Sequence, residues 1–146
     1  MTRFKFRLEA LLRLRRQVED LRLKSLAESQ ELLRQRQANL DAISADHTSA
    51  LRDLAHARLG PLNAFRARLL HRQVGSLSAS CRAGAAQIEA QNAEVQRRQE
   101  QAVEAARERR LLEKLRERRL ADASHLAQAQ EAALMDEIAQ ALRRKT

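Results

Sequence analysis

The sequence predicts an all-α fold, a long antiparallel two-helix coiled-coil hairpin with a short helical or irregular tip, and three observations predict it. Gly60, Pro61, Gly75 and Gly84 are all of the glycine and proline in the chain, and they share one 25-residue window. A globular domain needs turns along its whole length and draws on those two residues to make them. Leu, Ala, Arg, Gln and Glu dominate the flanking arms, and all favour helix. Three phenylalanines, Phe4, Phe6 and Phe65, with no Trp or Tyr, supply a seam between helices rather than a thick aromatic core.

The first helix is expected over residues 3–58. Leu12, Leu26, Leu33, Leu40 and Leu54 fall on one seven-residue register interrupted by Glu19 and His47, with Ile43 and Ala50 between them, which is the pattern of a coiled-coil seam. The tip spans 59–84. Pro61 and Asn63 suit a helix start, Leu62, Phe65, Leu69, Leu70 and Val74 give a short apolar face, and a short helix over 62–74 ends at Gly75, with Ser76, Ser78 or Ser80 starting the next. The alternative is one continuous helix from Leu62 onward, with the later glycines tolerated at about 1 kcal/mol each. The second helix, 85–145, repeats the seam with Cys81, Ile88, Val95 and Ala102, then shifts toward Leu112, Leu115, Leu126 and Ala129 and closes on Leu134, Ile138 and Leu142. Gln91, Arg98 and Arg109 weaken it, and an arginine there can snorkel outward along its methylenes. The whole chain, 1–146, reads as a single coiled-coil rod.

Charge orients the arms. The stretch from Arg3 to Lys24 holds eight Lys or Arg and three acids, whereas 121–142 holds Asp122, Glu131, Asp136 and Glu137 and no Lys or Arg. If Phe4 lies near Lys145, residues 7–24 face 125–142, and residue 15 crosslinks to the region near 134. The expected state is a monomer, because a parallel homodimer would set the basic stretch against its own copy.

The net charge is +9, from 28 Lys and Arg against 19 Asp and Glu, which suits an acidic partner surface. A coding bias toward arginine accounts equally well for the Arg-over-Lys ratio, so the distribution carries more than the total. Arg3, Lys5, Arg7, Arg143, Arg144 and Lys145 converge on one basic end if the termini meet, and Arg58, Arg66, Arg68, Arg72 and Arg82 fill an acid-free interval between Asp53 and Glu89.

Catalytic chemistry is not evident. His47, His56, His71 and His125 have no second ligand at metal spacing, no phosphate-binding glycine loop occurs, and carboxylate pairs such as Glu113 with Glu117 sit on helix faces without a cleft. The reading is a non-enzyme with no metal, cofactor or small-molecule substrate. Cys81 stands alone, so a reduced compartment is expected, and no apolar run approaches the roughly 20 residues of a membrane span.

The opening Phe4-Lys5-Phe6-Arg7-Leu8-Glu9-Ala10-Leu11-Leu12-Arg13-Leu14-Arg15, with Leu112-Glu113-Lys114-Leu115-Arg116-Glu117-Arg118-Arg119 and the late Asp136-Glu137-Ile138-Ala139, resembles the flagellar FliJ family from end to end. The resemblance implies a cytoplasmic component of the flagellar type III export apparatus, peripheral at its cytoplasmic face. It implies a stalk whose terminal end enters the hexameric export ATPase ring and promotes its assembly and activity. It further implies a link to the cytoplasmic domain of the membrane export gate and contact with export chaperones. The virulence stalk proteins are close relatives, and the Phe-x-Phe opening favours the flagellar branch. On that reading the partner-binding candidates are Phe4, Phe6, Arg7, Arg13, Arg15, Arg16, Arg116, Arg119, Arg143 and Arg144 at the terminal end, and Phe65, Arg66, Leu69 and Leu70 at the tip. The runner-up is a basic coiled coil binding nucleic acid through Arg107, Arg109, Arg110, Arg116, Arg118 and Arg119; interleaved Glu108, Glu113 and Glu117 and the lack of stacking aromatics argue against it. A third reading is a homo-oligomeric scaffold.

Overall fold

The structure, a computed structural model, describes residues 5–61 and 63–144. It contains two α-helices, α1 over Glu9–Leu59 and α2 over Ala64–Arg144, and no strand among the described residues. Contacts group the chain into two compact units, Arg22–Ala102 and Met1–Leu21 with Val103–Thr146.

The Arg22–Ala102 unit contains the turn. Gly60 and Pro61 end α1, and the Asn63 side-chain oxygen accepts from the backbone N–H groups of Phe65 and Arg66 at 3.1 and 3.4 Å, capping the start of α2 as that residue type predicts. The expected 59–84 tip therefore contracts to a few residues. Gly75 and Gly84 lie inside α2, and no glycine has positive φ, so the continuous-helix alternative is the one observed. An isolated glycine removes only about 1 kcal/mol from a helix, too little to stop one whose next turn still has an apolar face to bury.

From this turn the two helices run back antiparallel. Leu40 packs against Gly84, Arg36 reaches the carbonyl of Gln87, Ser29 meets Gln91, Ser25 meets Arg98 and Arg22 meets Gln101. The seam of α1 is the heptad series anticipated: Leu54 and Ala50 are buried, and Leu26, Leu33, Leu40, Ile43 and His47 are half-buried. On α2 the matching series is Leu70, Val74, Leu77, Cys81, Gly84, Ile88, Gln91, Val95, Arg98 and Ala102. Gly84 is there because the helices approach closely: a Cβ at that position would sit 3.1 Å from Leu40 Cδ1.

The polar seam residues are paired. Gln91, only 6% exposed, donates through Nε2 to the Ser29 carbonyl at 3.0 Å and to Ser29 Oγ at 2.8 Å. Arg98 donates to the Ser25 carbonyl and hydroxyl at 3.0 and 2.9 Å and to Glu94 at 2.7 Å. A buried amide left without partners costs about 1–3 kcal/mol, so these serines are what make the two polar residues tolerable in the seam.

In the Met1–Leu21 and Val103–Thr146 unit the seam consists of Leu12, fully buried, with buried Ala105 and half-buried Arg109 and Leu112. Here ion pairs replace the serine contacts. Arg109 binds Glu19 and Glu113, Arg15 binds Glu108, Arg16 binds Glu113, and Arg116 binds Glu9. Glu9, in the first turn of α1, also lies where a carboxylate complements the helix dipole.

These contacts overturn the expected register. Arg15 meets Glu108, not the region near 134, and residues 7–24 do not face 125–142. The physical reason is the position of the turn at 60–63: an antiparallel pair folded there brings the start of α1 to the level of Leu115 and Arg119. Beyond Arg119, α2 continues to Arg144 with every described residue exposed except half-buried Ala123. The seam expected through Leu126, Ala129, Leu134, Ile138 and Leu142 is thus a surface: Leu126 is 65% exposed, Leu134 58% and Ile138 54%.

Candidate functional site

At the turn, Leu54, Arg58, Phe65, Arg68, Leu69 and Arg72 line a groove of about 840 Å³. Phe65 is 74% exposed and Leu69 56%, because neither falls on the seam series of α2, while Leu70, which does, is half-buried. Arg66 is exposed in a neighbouring hollow with Asp53, His56 and Pro61. The arrangement offers apolar contact within a rim of guanidinium groups, a surface suited to an acidic, partly apolar partner.

At the other candidate surface, Phe6 is half-buried and lines, with Lys5, Arg7, Leu115 and Arg119, a hollow of about 550 Å³. Phe4 lies outside the described residues, as do Arg3 and Lys145. Arg7 and Arg13 are exposed. Arg15, Arg16 and Arg116, chosen from sequence for a partner, bond across the hairpin to Glu108, Glu113 and Glu9. Arg143 and Arg144 do not join Lys5 and Arg7 in one basic end: they close the helix some 24 residues past Arg119, on the order of 36 Å at ~1.5 Å per residue. What projects instead is the stretch 121–142, with four acids and no Lys or Arg.

That projection carries an exposed apolar stripe, Leu120, Ala127 and Leu134 at seven-residue spacing with Ile138, of which periodicity assigns Leu134 and Ile138 to the seam. Folding the chain on Gly60-Pro61 alone, the only pair of adjacent breakers, exposes it, because α1 then ends too soon to cover it.

Guanidinium contacts dominate the electrostatics. Hydrogen bonds from Arg97 and then Arg98 hold the Glu94 carboxyl at about 2, and a hydrogen bond from Arg16, aided by the charge of Arg109, holds Glu113 below the ordinary carboxylate value. The Glu19 carboxylate bonded to Arg109 raises that guanidinium further. None of these groups sits in a cleft, and they serve pairing. Among the described residues no group of three or more His, Cys, Asp or Glu is placed to hold a metal ion, and no helix is long and apolar enough to cross a membrane.

Two long helices paired along a heptad seam, with no strand among the described residues, place the chain in the class of helical-hairpin coiled coils. The sequence profile of the flagellar FliJ protein matches residues 4–145, and the chain belongs to that family, which makes it a flagellar export-related protein. No curated protein and no solved structure matches it.

Proposed function

We propose that this protein is the stalk of a flagellar type III export apparatus, acting in the cytoplasm at the face of the export machinery. Its unit containing both chain ends enters the ring of the hexameric export ATPase and promotes ring assembly and activity. Its turn contacts the cytoplasmic domain of the membrane export gate, and export chaperones dock along the helices. The observation that carries this reading is the family match over residues 4–145. Exposure of Phe65 and Leu69 supports a docking role for the turn over a packed cap.

The test of ring insertion must avoid residues that hold the hairpin together. Reversing Arg13, Arg15 and Arg16 together removes the bonds to Glu108 and Glu113, so lost stimulation there would report unfolding as much as lost docking. Leu134→Glu with Ile138→Glu changes exposed positions only. Stimulation of the purified cognate ATPase should be lost with helicity unchanged, while Phe65→Ser with Leu69→Ser should spare stimulation and lose gate binding. Full stimulation by the Leu134, Ile138 variant would remove the stalk role from this helix.

A further inference from the structure

The charge complementarity written into the sequence is not used inside the chain. The four acids of 121–142 form no ion pair among the described residues, and neither do Arg7 and Arg13, both exposed near the start of α1. Each set flanks an apolar stripe that is also largely exposed. On the projecting part of α2 the stripe is Leu120, Ala127, Leu134 and Ile138. On α1 a second stripe, distinct from the Leu12 seam face, runs through Leu11, Leu14, Val18 and Leu21 at spacings of three, four and three, with Leu14 52% and Leu21 67% exposed. A helix with two apolar stripes about 100° apart has one face for its own hairpin and one to spare.

We propose that two copies of this chain form a two-fold dimer in which the projecting helix of each lies along the second stripe of α1 of the other. Two-fold symmetry makes the contact occur twice and close, so no filament grows. Within each contact the acid-only stretch meets Arg7 and Arg13, and Leu134 and Ile138 meet the Leu14 and Leu21 side. The other self-pairing, projecting helix against projecting helix, sets four acids against four and is repelled. The monomer expected from sequence rested on spending these charges within one chain, which the observed register does not do. A dimer of this form covers the helix proposed to enter the ATPase ring, so dimer and ring compete for it. Self-association is nevertheless measured without the ATPase, and its failure leaves the stalk role standing.

Sedimentation equilibrium of the full chain decides it. The wild type should shift from 16.7 kDa to twice that mass as concentration rises into the ~100 µM range. Leu14→Ser with Leu21→Ser, and separately Leu134→Ser with Ile138→Ser, should weaken dimerisation at least about tenfold while circular dichroism stays helical. Glu131→Arg with Glu137→Arg should weaken it, Arg7→Glu with Arg13→Glu should weaken it, and all four changes in one chain should restore it. A wild type that stays at single-chain mass overturns the proposal. So does a dimer indifferent to the stripe variants, or one that the combined charge swap fails to restore.

Discussion

Residues 103–116 and 120–144 of α2 belong to the same unit, share helical backbone and carry leucine and alanine at heptad spacing, yet the first stretch is packed on α1 and the second is exposed but for half-buried Ala123. Periodicity is the same in both; what differs is whether a partner helix reaches them. A heptad pattern reports a face that can be buried, and only the position of the turn decides which part of it is buried within the chain. The polar residues respond to the same difference. Arg109 and Arg116 have found Glu19 and Glu9 on α1, whereas Asp122, Glu131, Asp136 and Glu137 lie beyond its reach and form no ion pair among the described residues.

A matched pair of truncations gives the largest expected difference between the packed and exposed stretches. Leu12→Ala removes the one fully buried large side chain among the described residues and should cost about 2–4 kcal/mol in urea denaturation, while Leu134→Ala, measured at high dilution, should stay within about 0.5 kcal/mol. Equal losses would mean that 120–144 is packed after all.

The two helical glycines give a smaller contrast. Gly75 has nothing within 4 Å of an added Cβ, so Gly75→Ala should stabilise by about 0.5–1 kcal/mol. Gly84→Ala gains the same helix propensity but presses a methyl onto Leu40, and should melt below Gly75→Ala. Equivalent melting temperatures would show that the helices do not approach closely at Gly84.

The smallest effect is in acid. Glu94 has its carboxyl depressed in the folded chain, so its contribution is complete above the ordinary value of 4.5 and disappears as pH falls toward about 2. Glu113 acts in the same direction. Glu94→Gln should therefore lower the melting temperature slightly at neutral pH, flatten its loss across that interval and meet the wild type near pH 2. An unchanged acid slope would show that Glu94 does not hold Arg97 and Arg98 in solution.

Helix content, the α1 seam and the Asn63 cap were legible in the sequence, because heptad spacing, capping chemistry and breaker placement are local signals. The register was not. Choosing it from charge placed 121–142 beside the basic arm, but surface pairs each contribute tenths of a kcal/mol and cannot outweigh a helix that continues through Gly75 and Gly84. The polar partners were missed for a related reason. Gln91, Arg98 and Arg109 look like flaws along one strand of sequence, and Ser29, Ser25 and Glu19 become their complements only once the register is known. At the turn, Phe65, Leu69 and Leu70 were grouped as one apolar face; Phe65 and Leu69 are exposed, whereas Leu70 falls on the heptad of α2 and is half-buried.

Register is most directly read by spin-label distances, with Cys81 replaced by Ala and labelled chains diluted in excess unlabelled chain so that only intramolecular pairs report. Labels at Arg13 and Arg110 should lie close together, as the Arg15–Glu108 bond requires, and labels at Arg13 and Leu134 should be separated by on the order of 35 Å at ~1.5 Å of rise per residue. A short distance between 13 and 134 with a long one between 13 and 110 would contradict the projecting helix and everything built on it.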